Sequence, residues 1–296
     1  MTIPRLAPDA APPPAAPEPA DAARFPFGRN WRSFLRVVDE ARIQSATESL
    51  VTMLDRPDLR GARFLDAGCG SGLFSLAARR LGATVLSFDF DADSVACTRE
   101  LRRRYAPGDA AWDVREGSIL DEPFLAELGD FDVVYSWGVL HHTGEMWRAL
   151  DLILRPLRPG GQLSIAIYND QGAWSKRWTA LKRLYCQSAW WRAAIAGTVV
   201  PYWVLRGLAA DLVWGRNPVR RYTQYRGGRG MSVWHDWIDW LGGYPFEVAK
   251  PEQVLAFYRR RGLVLTHLGT VGGSSGCNEF VFHRPAMAVH HPRAAQ

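Results

Sequence analysis

The chain has 296 residues, enough for one core of about 200 residues with additions, and its apolar fraction of 47% is that of an ordinary globular protein. The formal charge of +6 is modest and is compatible with an acidic substrate, a membrane surface, RNA or none of these. The four cysteines (Cys69, Cys97, Cys186, Cys277) have neither metal-ligand nor redox spacing, so no metal site is expected and a reducing, cytoplasmic setting is the simplest one.

Residues 1–24 are dominated by Ala, Pro and Asp and lack the basic start and apolar stretch of a secretory signal; they read as a disordered tail. Residues 25–61 read as helices, with stripes at Trp31, Phe34, Leu35 and Val38 and at Leu50, Met53 and Leu54, placed to cover a sheet or the mouth of a ligand site. From 62 to 170, strand and helix alternate. A strand ending at Asp66 precedes a helix to about Leu81. Thr84–Asp89 is a strand before a helix from Asp91 to Tyr105. Strands follow at Trp112–Glu116 and Phe131–Ser136, then a helix carrying Met146, Ala149, Leu150, Ile153 and Leu154 with Thr143 as its N-cap. A turn at Pro159-Gly160-Gly161 leads into a strand over Gln162–Tyr168. This pattern predicts an α/β fold with a parallel sheet and helices on both faces. Residues 171–248 form a helical insertion, residues 249–285 return to the core through a helix over Pro251–Gly262, and residues 286–296 read as a second tail.

The most informative run is Phe64-Leu-Asp-Ala-Gly-Cys-Gly-Ser-Gly72. A strand ends in a carboxylate, and Gly68, Gly70 and Gly72 then lead into a helix. Such a loop turns sharply, lets a ligand lie against main-chain atoms and presents unpaired N–H groups. A dinucleotide loop would read G-x-G-x-x-G. Here Leu73 or Ser75 stands where the third glycine would be, and the run follows D-x-G-x-G-x-G instead. This resembles the first motif of the class I S-adenosylmethionine-dependent methyltransferases. Asp132-Val-Val-Tyr-Ser136 and Arg158-Pro-Gly-Gly161 resemble that family's fourth strand and late motif, and Leu263–Val271 with Asn278–His283 resembles its closing antiparallel hairpin. The resemblance covers residues 62–170 and implies a Rossmann-like methyltransferase sheet, mostly parallel and flanked by helices, carrying a Trp- and Arg-rich helical insertion. It also implies S-adenosylmethionine as cofactor. Asp89, about 20 residues past the loop, would accept hydrogen bonds from the ribose hydroxyls, and Phe90 would pack on the adenine. Many family members place an acid after the third strand. This chain has Gly117-Ser118-Ile119 there, so Ser118 or backbone serves, with Asp121 as a further candidate. The expected cofactor set is therefore Asp66, Gly68, Cys69, Gly70, Gly72, Asp89, Phe90, Ser118, Ile119 and Ser136.

Methyl transfer requires an acceptor held against the methyl carbon, away from water, and a hydroxyl acceptor must also lose its proton; histidine suits that task. His141 and His142 follow the fourth strand and are the leading candidates, with His235 next. The resemblance is nearest to the ubiquinone-pathway O-methyltransferases, in which His142 has a counterpart. The glutamates that bind metal in those enzymes are replaced here by Gly138 and His141. A second constellation, Met231–Glu247, places His235 and Asp239 on one helical face and Trp234 and Trp237 beside it, before a turn at Gly242-Gly243-Tyr244-Pro245. Trp137, Asn169, Trp234, Asp239 and Tyr244 are the expected acceptor contacts.

The insertion carries Trp174, Trp178, Trp190, Trp191, Trp203 and Trp214 among arginines, and Ala193–Leu205 is an uncharged run shorter than a bilayer span. It reads as a lid, and residues 190–215 as a helix lying in a membrane interface. The expected partner is a small-molecule acceptor, a hydroxyl above all, on a lipid-like or aromatic substrate. RNA (tRNA) methylation is an alternative resting on Arg102–Arg104 and the arginines of 216–229, although no RNA-binding module is recognisable. A non-catalytic subunit that binds the cofactor is a third reading. The oligomeric state is not legible.

Overall fold

The computed structural model describes residues 24–223 and 233–286. The remainder of both expected tails and the arginines of 224–232 lie outside the described residues. Strands β1 (Arg63–Ala67), β2 (Thr84–Asp89), β3 (Trp112–Glu116), β4 (Phe131–Trp137), β5 (Leu157–Tyr168), β6 (Val264–Gly269) and β7 (Cys277–His283) form one sheet in the order β3-β2-β1-β4-β5-β7-β6. The first five are parallel, and β7 runs antiparallel to both β5 and β6. The central strands are buried on both faces, which is why they are almost continuously apolar. Leu65, Val134 and Ile165 pack into one core; Phe64, Val85 and Val133 pack into the other.

The helices are α1 (Phe27–Phe34), α2 (Glu40–Leu54), α3 (Leu73–Arg80), α4 (Ala92–Tyr105), α5 (Glu122–Glu127), α6 (Met146–Leu152), α7 (Ala173–Gln187), α8 (Ala189–Val213), α9 (Pro218–Thr223), α10 (Val233–Gly242) and α11 (Pro251–Arg260). The strand order reverses between β1 and β4, and in such sheets ligands lie beyond the strand C-termini at that point.

Several local expectations change. Strand β5 begins at Leu157, so Pro159-Gly160-Gly161 lies inside it as an irregular stretch; the pairing with β4 jumps register between Phe131 and Val133. Thr143 does not cap α6: its hydroxyl donates to Leu140 O, and the Met146 N–H is accepted by the Glu247 carboxylate (3.0 Å) arriving from the insertion. Asp121 caps the short helix α5, which six residues without a full apolar stripe did not reveal, by accepting from Phe124 N (3.1 Å). Asp91 caps α4, which leaves Asp89 free of that duty. Arg24, read as tail, is ordered against the core, with its guanidinium donating to Thr143 O (3.1 Å).

The insertion folds as α7–α10 around an aromatic seam. Trp178 and Trp240 rings lie 4.1 Å apart, and Trp203 lies 5.4 Å from both Trp237 and Trp240.

Candidate functional site

A cleft of about 880 Å³ opens at the sheet's reversal point, within the range of small-molecule sites. One end is made by the glycine loop and the ends of β2 and β3. Gly68, Gly70 and Gly72 have φ of 83°, 54° and 80°, the left-handed region that favours glycine. A Cβ on Gly68 would collide with Val139, and one on Gly70 would stand 2.9 Å from Trp31 Nε1. Gly68 N and Cys69 N both donate to Phe88 O (2.8 and 3.0 Å), which ties the loop to β2. Asp89 Oδ2 accepts from Gly70 N (2.9 Å) and Oδ1 from Asp91 N (2.9 Å), leaving each oxygen a lone pair toward the cleft. Burial of its surroundings pushes the Asp89 carboxyl up to about 6, against the pull of those backbone donors, although its side chain stays half-open to the cleft. Phe90 is 65% exposed, with the Arg24 guanidinium 5.5 Å from its ring. Ser118 and Ile119 complete this end.

Asp66 is sealed beneath the loop, hydrogen-bonded by Ser75, and burial pushes it up to about 7. The folded state therefore holds protons on Asp66 that the unfolded chain releases near pH 4, so this contribution to stability is lost as pH rises through about 7. A tenfold difference in proton affinity between the folded and unfolded chain corresponds to about 1.4 kcal/mol. Asp66→Asn is expected to melt progressively higher than the unaltered ligand-free protein between pH 4 and 8. Parallel melting curves would show that Asp66 titrates as an ordinary carboxyl.

The other end of the cleft is aromatic and acidic: Trp137, Tyr168, Trp240 and Tyr244 line it with Asp236, Asp239 and His142. His142 lies in a short 3₁₀ turn, Leu140–His142, after β4. Its Nδ1 is 2.6 Å from Pro245 O, and a carbonyl only accepts, so Nδ1 carries the hydrogen and Nε2 carries the lone pair. Burial holds the ring neutral, down to about 3. Burial pushes Asp239 up to about 8, opposed by a hydrogen bond from Asn30 Nδ2 to its Oδ1 (2.7 Å). Behind this wall, Lys182 is wholly buried. Its ammonium lies over the rings of Trp240 (4.5 Å), Phe246 (4.6 Å) and Tyr168 (5.6 Å), donates to Trp240 O, and is held down to about 7 by burial.

The structure thus brings together Asp66, Gly68, Cys69, Gly70, Asp89, Phe90, Ser118, Ile119, Trp137, His142, Asp239 and Tyr244. Other expected residues stand outside the lining. Gly72 is the N-cap position of α3, and the Ser136 hydroxyl donates to Ala67 O (2.9 Å), joining β4 to β1. His141 is fully buried, its Nδ1 accepting from Tyr168 N (3.3 Å) and its ring 4.1 Å from Tyr168, so it supports the wall from behind. His235 faces α1, with its ring 5.7 Å from Phe34. Asn169 bonds Ser274 O and Asn278, which binds the end of β5 to the β6–β7 connection. The Trp234 side chain lies outside what is described. The sequence reading missed Arg24, Val139 and Tyr168 as lining residues, and it gave Phe25–Phe27 and Trp31 only as part of a segment covering a sheet or the mouth of a ligand site. The Phe25-Pro26-Phe27 cluster directly after the polar tail was the available signal. Among the described residues no cluster of three or more His, Cys, Asp or Glu is placed to hold a metal.

These features fit S-adenosylmethionine. The cradle leaves no room for loop side chains, Asp89 offers open lone pairs to a diol, and Phe90 presents an uncovered ring face. Residues 65–165 match a family model described as a methyltransferase domain. Over 115 residues the chain is 36% identical to a ubiquinone biosynthesis O-methyltransferase of Xanthomonas oryzae pv. oryzae (strain PXO99A), covering 38% of this chain and 46% of that protein. Over 170 residues it is 29% identical to a protein of the same name from Caulobacter sp. (strain K31), covering 51% and 64% respectively. The chain therefore spans less than two thirds of the length of these curated relatives. A solved S-adenosylmethionine-dependent methyltransferase from Anabaena variabilis ATCC 29413 superposes with a TM-score of 0.51 at 10% identity, over 90% of this chain and 100% of that one, a likeness of fold alone.

Proposed function

We propose, from the premise that residues 65–165 are a class I S-adenosylmethionine-dependent methyltransferase domain, that the protein methylates a hydroxyl on a small, lipid-like or aromatic acceptor. The carrying observation is that one cleft holds the glycine loop with Asp89 at one end and the Nε2 lone pair of His142 among aromatic rings at the other. The cofactor, when bound, supplies an electrophilic methyl group. Asp89 would hold the ribose hydroxyls, the 66–72 loop would lie along the amino-acid tail, and Phe90 with Ile119 would flank the adenine. Trp137, Tyr168, Trp240 and Tyr244 exclude water and orient an apolar acceptor. His142 Nε2 accepts the hydroxyl proton as the oxygen attacks, and the Pro245 carbonyl steadies the ring through Nδ1. Mass spectrometry of cell extracts incubated with the protein and a methyl-labelled donor tests this. Label on a small molecule at oxygen supports it, whereas label on RNA or on nothing refutes it.

Helix α8 supports a protein working at a membrane surface. It runs 25 residues through Pro201 and is long and apolar enough to cross a membrane by length and composition, more than the 13-residue run suggested. One face, with Ile195 and Trp203, packs on α7 and α10. On the other, Trp190, Tyr202, Leu205 and Leu212 are 60–68% exposed. Besides the buried Lys182, residues 173–223 carry eight Lys or Arg against Asp211 alone, which suits anionic headgroups. A helix that keeps one side on the protein is suited to lie in the interface rather than to span it. The protein is expected to sediment with vesicles containing phosphatidylglycerol and to be released by Leu205→Glu with Leu212→Glu. Equal sedimentation of that variant would remove α8 from the contact.

A further inference from the structure

Helix α1 touches both ends of the cleft. On the cofactor side, Gly28 N donates to Asp91 Oδ2 (2.8 Å), two residues beyond Asp89, and Arg32 pairs with Asp93. A Cβ on Gly28 would run into Asp93, so the α1 backbone lies directly on the start of α4. Trp31 closes over Gly70. On the acceptor side, Asn30 is 8% exposed, and its Nδ2 donates to both His235 O (3.0 Å) and Asp239 Oδ1 (2.7 Å) on α10. Just ahead of the helix, Phe25 N donates to Tyr244 O (3.1 Å).

We propose that Asn30 is a positioning residue that seats α10 and the Asp239 side chain at the acceptor end when α1 is docked on the cofactor loop, so that filling one end of the cleft orders the other. The inference rests on the cofactor reading above. Its physical basis is that a single buried amide satisfies two acceptors on α10, and losing it leaves both without their donor. Helix α1 is only eight residues long, and besides the buried ring of Phe34 it is held by the polar contacts above, so what it docks on decides how firmly it sits. Both ends of the cleft bias this one element, which is what a coupling between two sites requires.

The test measures hydrogen exchange of peptides covering α1 and α10, with and without S-adenosylhomocysteine, whose binding is followed separately by calorimetry. In the unaltered protein the nucleoside is expected to slow exchange about fivefold or more in both helices, the scale of one hydrogen bond. In Asn30→Ala, calorimetry still registers binding and α1 is still protected, but α10 is not. Asp239→Asn, whose amide oxygen can accept from Asn30, keeps the protection of α10 and serves as the folded control. Protection of α10 in Asn30→Ala equal to that in the unaltered protein overturns the coupling, as does binding without protection of α10 in the unaltered protein. Absence of any calorimetric binding instead overturns the cofactor reading, and the coupling with it.

Discussion

His142→Ala is expected to lower turnover about 100-fold while leaving the affinity for S-adenosylmethionine within a few-fold of the unaltered protein. The split follows from position. His142 lies at the acceptor end of the cleft, away from Asp89, and its ring meets Phe27 at 5.0 Å and Tyr168 at 5.5 Å rather than the glycine loop. The size follows from chemistry: a ring held neutral to about pH 3 is always ready to accept a proton, but it is a weak base, so its contribution belongs at the lower end of general-base catalysis. Added imidazole should restore part of the lost rate by entering the space left at the half-exposed position. A purely structural role for His142 would leave imidazole without effect, and unchanged turnover in the variant would move the base elsewhere.

Asp89→Ala is expected to weaken cofactor binding by about 1.5–3 kcal/mol, or roughly 10–150-fold in Kd by calorimetry. The upper part of that range is favoured because the side chain also receives Gly70 N and Asp91 N. Its removal leaves two backbone donors without their acceptor and loosens the loop as well as deleting the ribose contact. Asp89→Asn keeps one acceptor oxygen and should fall between the two. An affinity for Asp89→Ala equal to that of the unaltered protein would remove Asp89 from the ribose.

The sheet was readable because its strands are buried on both faces and so are marked by apolar runs such as Phe64-Leu65 and Val133-Val134, punctuated by loops with strong backbone signals. The cofactor end was readable for a similar reason: its geometry is local, set by glycines and by an acid at a fixed distance along the chain. The acceptor end was less so. Asp239, Tyr244 and His142 meet only because α10 returns to the end of β4, and no local pattern encodes a contact between segments so far apart in the chain. His141 and His142 are neighbours, and only the resemblance, which gives His142 a counterpart, separates them in the sequence. The 3₁₀ turn points one into the cleft and seals the other beneath Tyr168. Thr143 looked like a cap because caps are normally local, yet Glu247 reaches α6 from the insertion.

The placement of the tryptophans gives the protein two optical reporters that answer separate questions. Trp31, pressed against Gly70, should change emission when the nucleoside end fills. Trp190 and Trp214, each more than two thirds exposed on and beside α8, should shift to the blue only when that helix meets lipid. Replacing one set with phenylalanine at a time would let loading and surface attachment be timed independently in one cuvette, without a known acceptor.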